Sequence, residues 1–174
     1  DWSKLPRGFS PGDEWDYGSS TDYVAYLVQR ISGQSLVQFL EERIFGPLEM
    51  IDTSYNVPER DVDRIVAVYQ RSGADISLQL DYPPGSQGPT RYFGGVNGLF
   101  STAADYFRFA QMLLNGGELD GVRLLKPETV RLMTENHVGD LAVRGCVSTN
   151  GYGFGLGFAV VTDPALTGDS LSKG

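Results

Sequence analysis

Two amphipathic segments follow one another between residues 20 and 45. Apolar residues recur at helical spacing through "STDYVAYLVQRIS", which predicts a helix that ends at Gly33, a residue suited to a left-handed helix stop. The segment from about Ser35 to Phe45 has one apolar face, with the charged residues 41–43 on the opposite face. It predicts a second helix, which ends at Gly46-Pro47.

The next part of the chain predicts one short strand and a long polar loop. The apolar residues of "DRIVAVYQR" indicate the strand. Residues 72–90 are rich in Gly, Pro, Ser and Asp, so we expect them to form one extended loop. A loop of that length in a compact domain usually serves a function or is mobile.

The second half of the chain predicts one firm helix and then several small elements. The helix is indicated by "STAADYFRFAQMLLNGG", in which Thr102 and Asp105 have the spacing of a capping box. Asp120-Gly121 predicts a small hairpin, and Pro127 is suited to the first position of a short helix. Glycine alternates with aromatic and apolar residues in "NGYGFGLGFAVV", which predicts a strand entered through a close backbone approach.

Composition places the chain among ordinary soluble globular domains. It has 174 residues, of which 41% are hydrophobic and 21% are charged. The formal net charge is −8, and the absence of any basic run disfavours nucleic acid and anionic membranes as partners. No apolar run approaches the roughly 18 residues of a membrane span. The one cysteine, Cys146, excludes an internal disulfide and a cysteine-rich zinc site.

Three apparent motifs are weak. Ser170 and Lys173 match the Ser-x-x-Lys nucleophile pair, but that chemistry places the serine at the start of a helix, and here glycines flank the pair. The glycines 153, 155 and 157 are not a dinucleotide fingerprint, because the third comes too early and no helix follows. His137, in the polar segment "TENHVGD", is interpreted as a surface histidine rather than as part of a catalytic triad.

The strongest signal is an ordered set of segments. Four segments resemble, in their order and wording, the serine β-lactamase and penicillin-binding-protein-like hydrolases, nearest to the class C-type esterases. They are "FSPGDEWDYGSS", "LVQRISGQSLVQFLEERIFGPLEMIDTSY", "GGVNGLFSTAADYFRFAQMLLNGGELDGVRLL" and "PETVRLMTENH". The resemblance runs from about Leu5 to Pro164. It implies an α+β, β-lactamase/transpeptidase-like fold, here mostly the helical part with a minority of the antiparallel sheet. It implies no metal and no organic cofactor.

In the family that the chain resembles, three motifs meet in one cleft: Ser-x-x-Lys, Tyr-x-Asn or Tyr-x-Ser, and Lys/His/Trp-x-Gly. The second matches Tyr17-Gly18-Ser19, which makes Tyr17 and Ser19 the candidate catalytic residues. A neighbouring ammonium group can lower the pKa of a phenol, so that the phenolate accepts the proton of a nucleophilic serine and the phenol returns it to the leaving group. Ser19 would hydrogen-bond the lysine or the substrate. The alternative for Tyr17 is a half-buried aromatic residue at a helix start.

The glycine-rich segment "FGGVNG" matches a loop that borders the cleft in relatives. Gly94, Gly95 and Asn97 are therefore the candidate substrate-binding residues. The alternative, which we weigh equally, is that the glycines only form a tight turn before a helix.

The resemblance also implies that parts of the machinery lie elsewhere. Relatives carry Ser-x-x-Lys several tens of residues before the tyrosine motif, whereas Tyr17 has only 16 residues ahead of it. We therefore expect residues 1–174 to be a single partial domain, the central segment of a larger hydrolase domain, inactive alone and completed by a companion segment of the same protein. The bacterial cytoplasm and periplasm both stay open as locations.

The expected parent enzyme is a carboxylesterase that acts on a small ester through an acyl-serine intermediate. A β-lactamase or a D-alanyl-D-alanine carboxypeptidase is the alternative within the family. A non-catalytic binding module that keeps the fold is the alternative from another class.

Overall fold

The computed structural model describes residues 6, 8–80, 93–141 and 150–167, with the backbone alone at 79 and 80. The chain divides into two compact units, which are described separately. One comprises Ser20–Phe109, and the other comprises Asp1–Ser19 with Ala110–Gly174. We call them the 20–109 unit and the terminal unit.

The 20–109 unit begins with the two predicted helices. Helix α1 spans Ser20–Ser32, and α2 spans Leu36–Leu40 and continues as a π-helical turn, Glu41–Phe45. Ser35 caps α2: its hydroxyl accepts a hydrogen bond from the amide N of Gln38 (3.3 Å), and its own amide N donates to Gln38 Oε1 (3.2 Å). Both helices are confirmed. The wider π turn was not predicted, because it retains the apolar spacing expected of an α-helix.

The core of the 20–109 unit joins the helices to the segment that follows them. Ala25 of α1, Leu36 of α2 and Tyr55 are buried together. Other apolar side chains pack on them partly buried: Val28, Val37, Leu40 and Phe93. Residue 93, at the start of the glycine-rich loop, is therefore attached to the helix pair by apolar contacts.

A short 3₁₀ helix, Glu59–Arg64, precedes an antiparallel hairpin of β1, Val68–Ser72, and β2, Asp75–Leu80. The predicted strand is confirmed, although it begins at Val68. The expectation of one loop over residues 72–90 is wrong for 75–80, where "DISLQL" alternates polar and apolar residues as a strand does. The remainder, residues 81–90, lies outside the described residues.

Helix α3 spans Ala103–Leu114, and the boundary between the two units falls within it. The predicted hairpin of the terminal unit is confirmed as β3, Glu118–Leu119, paired with β4, Val122–Arg123. Asp120 (φ 50°) and Gly121 (φ 80°) form its turn.

The short helix predicted at Pro127 is confirmed as α4, Pro127–Thr134. Strands β5, Tyr152–Phe154, and β6, Ala159–Val161, pair antiparallel, and a short helix α5, Pro164–Thr167, follows. The expected close backbone approach is confirmed at Gly155, where a Cβ would lie 2.1 Å from the carbonyl oxygen of Met133. A larger residue there would need the end of α4 to move.

Candidate functional site

The two predicted catalytic residues lie in the terminal unit, directly before α1 in the chain. The side chain of Tyr17 is 53% exposed, and Ser19 is partly buried. An exposure of 53% fits the alternative of a half-buried aromatic residue as well as it fits a catalytic tyrosine, so both interpretations of Tyr17 stay open. Exposure allows a phenol to meet a substrate or a nucleophile, but it does not by itself assign a catalytic role.

Two further aromatic rings support Tyr17. Its ring centroid lies 6.2 Å from that of Phe154, edge to face at 65°, and 6.2 Å from that of Trp15. Trp15 and Phe154 pack on each other with centroids 4.6 Å apart. Such contacts stabilise by about 0.5–1.5 kcal/mol a pair beyond the area they bury. The segment that carries Tyr17 is thus attached to strand β5.

Strand β5 is in turn fixed by the loop after α4. The amide N of Phe154 donates to Asn136 Oδ1 (3.2 Å), and the carbonyl oxygen of Phe154 accepts from the amide N of His137 (2.8 Å). His137 is exposed, as the surface interpretation predicts. Its ring Nε2 lies 2.7 Å from the carbonyl oxygen of Leu132. No local sequence pattern indicates that Phe154 and Asn136 support Tyr17, because they lie far from it in the chain.

The glycine-rich loop, residues 93–98, lies in the 20–109 unit and is held first by Tyr55. The hydroxyl of Tyr55 donates to the carbonyl oxygen of Gly94 (2.6 Å), and its ring meets Phe93 edge to face at 5.1 Å. Burial raises the pKa of the Tyr55 hydroxyl, and the negative charge of Asp22 raises that pKa further. Tyr55 therefore stays a neutral hydrogen-bond donor at neutral pH.

A second attachment of the glycine-rich loop comes from the first turn of α1. The amide N atoms of Gly95 and Val96 both donate to Oδ1 of Asp22, at 2.7 and 3.1 Å. A Cβ at Gly95 would lie 2.2 Å from the carbonyl oxygen of Thr21, so the loop approaches the helix closer than any side chain permits. The side chain of Asn97 is exposed.

The segment after the loop is fixed by a network around Asp105. One carboxylate oxygen of Asp105 accepts from the amide N of Asp52 and from Oγ1 of Thr53, both at 2.8 Å. The amide N of Asp105 donates to Oγ1 of Thr102 (3.2 Å), which confirms the predicted cap of α3. The carboxylate of Asp105 bonds a distant segment instead of closing the capping box. Ser54 and Phe100 exchange backbone hydrogen bonds of 2.8 and 3.0 Å beside it.

A cavity of about 540 Å³ opens in the 20–109 unit, between residues 51–68 and residues 100–103. On its wall Arg64 Nη2 meets Asp52 Oδ2 at 2.7 Å, and this contact holds the pKa of Asp52 below its usual range. Residues 94–97, which belong to the same unit, do not line this cavity. Its size is typical of ligand sites, but it carries none of the predicted chemistry.

The structure therefore brings Tyr17 and Ser19 together in the terminal unit, and Gly94, Gly95 and Asn97 together in the 20–109 unit. The Ser170–Lys173 pair lies outside the described residues. Over the ranges that the structure describes, no group of three or more His, Cys, Asp or Glu side chains could hold a metal ion. Nor does that part of the chain contain a helix long and apolar enough to span a membrane.

Comparison with known proteins gives consistent matches. The family model described as Beta-lactamase matches residues 2–169. An uncharacterized protein of Mycobacterium tuberculosis is 40% identical over 166 residues, which cover 92% of this chain and 41% of that protein. The lovastatin esterase of Penicillium rubens is 31% identical over 163 residues, which cover 91% of this chain and 40% of the esterase.

Among solved structures, EstCE1, a hydrolase with promiscuous acyltransferase activity, matches with a TM-score of 0.77 at 24% identity. The match covers 95% of this chain and 45% of EstCE1. It shows that the fold is β-lactamase/transpeptidase-like, as expected from the sequence. The chain spans about 40% of the length of these two curated relatives.

Proposed function

The chain belongs to the beta-lactamase family, and on that premise we propose that the full-length protein is a serine hydrolase that cleaves carboxylic esters through an acyl-serine intermediate. A curated relative that is named lovastatin esterase supports an ester rather than a β-lactam or a D-alanyl peptide as the substrate. The observation that carries the proposal is the exposed tyrosine of Tyr17-Gly18-Ser19, whose ring packs against two other aromatic rings.

In the proposed reaction Tyr17 moves the proton. Its phenolate oxygen accepts the proton of the nucleophilic serine as the serine oxygen attacks the ester carbonyl, and the phenol so formed gives that proton to the departing alcohol. In the second half of the cycle water attacks the acyl-serine and gives a proton to the phenolate, and the phenol returns it to the serine oxygen as the carboxylic acid leaves. Ser19 hydrogen-bonds the helper lysine or the substrate. Gly94, Gly95 and Asn97 border the acyl group.

We propose further that these 174 residues are inactive without the rest of the domain. The sequence contains one Ser-x-x-Lys, at Ser170–Lys173, and its glycine neighbours do not suit the start of a helix. Incubation of the 174-residue chain with a fluorescent penicillin and with an activated-ester probe should leave it unlabelled. Labelling at any serine of this chain would show that the proposal is wrong.

The test of the catalytic role is Tyr17→Phe in the full-length protein. The acylation rate with p-nitrophenyl butyrate should fall by on the order of 10²-fold or more, because a positioned general acid–base group contributes about that much. Tyr69→Phe is the matched control, since Tyr69 is 60% exposed on β1. It loses the same hydroxyl and should keep the wild-type rate.

The outcomes separate the alternatives. An unchanged acylation rate in Tyr17→Phe would remove Tyr17 from the mechanism. If the wild type hydrolyses nitrocefin, a chromogenic cephalosporin, faster than the ester, the protein is a β-lactamase. Binding of esters without turnover by the wild type, with affinity retained in Tyr17→Phe, would favour the non-catalytic binding module.

A further inference from the structure

One carboxylate oxygen of α1 bonds two consecutive residues of the glycine-rich loop. Oδ1 of Asp22 accepts hydrogen bonds from two consecutive backbone amides, those of Gly95 (2.7 Å) and Val96 (3.1 Å). Bonds from amides to a carboxylate are shorter and about twice as strong as bonds between neutral groups. Two of them on successive residues fix the direction of the peptide plane between those residues.

Three features of the surrounding chain support this contact. Asp22 lies in the first turn of α1, where the helix dipole favours a negative charge. The absence of a side chain at Gly95 lets the loop approach the carbonyl oxygen of Thr21, next to Asp22. The hydroxyl of Tyr55 holds the carbonyl oxygen of Gly94 on the other side. Residues 94, 95 and 96 are thus each held by one hydrogen bond, and the next residue, Asn97, is exposed.

We propose that Asp22 is a positioning residue of the hydrolase: it holds the amides of Gly95 and Val96 so that the loop presents Asn97 to the acyl group of the substrate. This inference rests on the proposed function, because the loop borders substrate only if the protein is a hydrolase of this kind. Asp22 itself contacts no substrate and transfers no proton. Its effect on turnover passes through the loop.

The experiment uses three variants of the full-length protein. Asp22→Ala removes the oxygen that accepts both bonds, whereas Asp22→Asn keeps an amide oxygen that can accept the same bonds without the charge. Asp63→Ala is the control, because Asp63 is an exposed carboxylate of the same unit and its loss changes the net charge equally. Each variant is measured by backbone amide hydrogen exchange and by steady-state hydrolysis of p-nitrophenyl butyrate.

In Asp22→Ala the exchange of the Gly95 and Val96 amides should accelerate on the order of tenfold or more, since about 1.4 kcal/mol of hydrogen bonding corresponds to a factor of ten. KM should rise on the order of tenfold while kcat changes little, because the loop contacts the acyl group and not the transferred proton. Asp22→Asn should recover most of both properties. Asp63→Ala should match the wild type.

Hydrogen exchange and KM can each contradict the proposal independently of the other. Wild-type exchange at Gly95 and Val96 in Asp22→Ala would overturn the attachment, whatever happens to turnover. Faster exchange with unchanged KM would show that the loop does not serve the substrate, which also overturns the inference. If the wild type hydrolyses no ester, β-lactam or D-alanyl peptide, the proposed function fails, and the role of Asp22 as a positioning residue of the hydrolase fails with it. Accelerated exchange in Asp22→Ala would then leave a purely structural contact.

Discussion

Gly95→Ala should lower the stability of the protein, because residue 95 lies against the first turn of α1. The added Cβ would lie 2.2 Å from the carbonyl oxygen of Thr21 and 3.0 Å from the Cβ of Ala25, whereas an ordinary contact begins near 3.4 Å. Relieving the first contact needs a shift of 1.2 Å, the difference between 3.4 and 2.2 Å. The Thr21 carbonyl belongs to the first turn of α1, so the loop moves rather than the helix.

The shift has a cost that can be bounded. Forcing a methyl group into a packed site costs about 1–3 kcal/mol. Each amide bond to Asp22 that the moving loop breaks would add up to about 1.5–3 kcal/mol, less wherever water replaces the carboxylate. Because Gly95 is exposed, water compensates much of that second cost. We therefore expect the free energy of unfolding to fall by about 2 kcal/mol, a large share of a typical 5–15 kcal/mol.

The assay is urea unfolding of the full-length protein, monitored by circular dichroism. The m value of the variant should equal that of the wild type. Gly18→Ala is the control, because a Cβ at Gly18 meets nothing within 4 Å and should cost almost nothing. A loss of stability in Gly95→Ala below about 0.5 kcal/mol, the range of ordinary surface substitutions, would refute the described approach of the loop to α1.

Two further predictions concern the same loop. Asn97→Ala should leave the unfolding free energy within about 0.5 kcal/mol of the wild type, because the side chain is exposed, yet raise KM for p-nitrophenyl butyrate; an unchanged KM would exclude Asn97 from the substrate site. The raised pKa of Tyr55 predicts a stability contribution that is complete below the ordinary tyrosine pKa of about 10 and is lost as the pH rises through the folded-state pKa. Urea unfolding at a series of alkaline pH values should thus show that the free energy of unfolding falls more steeply with pH in the wild type than in Tyr55→Phe. Equal slopes of that free energy against pH would contradict the prediction.

Local patterns predicted the regular elements well. Apolar spacing, the caps and the turn residues belong to a few consecutive positions, so α1, α3, α4 and the Asp120-Gly121 hairpin could be derived from the sequence. Strand β2 was missed because glycine, proline and serine on both sides concealed the short alternation of "DISLQL". The motif of Tyr17 was recognised by resemblance alone, since nothing in its immediate neighbours distinguishes it from an ordinary aromatic residue.

The contacts that hold the candidate site could not be predicted in this way. The amide of Gly95 and the carboxylate of Asp22 are 73 positions apart, and the hydroxyl of Tyr55 and the carbonyl of Gly94 are 39 positions apart. No periodicity connects residues at such distances, so the partners emerge only once the chain is folded. Asp105 illustrates the limit: its amide N bonds Thr102 as predicted, while its carboxylate bonds the distant Thr53.

The backbone of the glycine-rich loop explains why two of its residues are glycine. From the sequence, "FGGVNG" fitted both a tight turn and the border of a cleft. The carbonyl of Thr21 accounts for glycine at position 95, and the φ of +103° accounts for glycine at position 98, with no reference to a substrate. Glycine at positions 95 and 98 therefore gives no independent support for a substrate site. The argument for a substrate site then depends on Asn97, whose side chain is exposed, and on Asp22, which holds the two residues before Asn97.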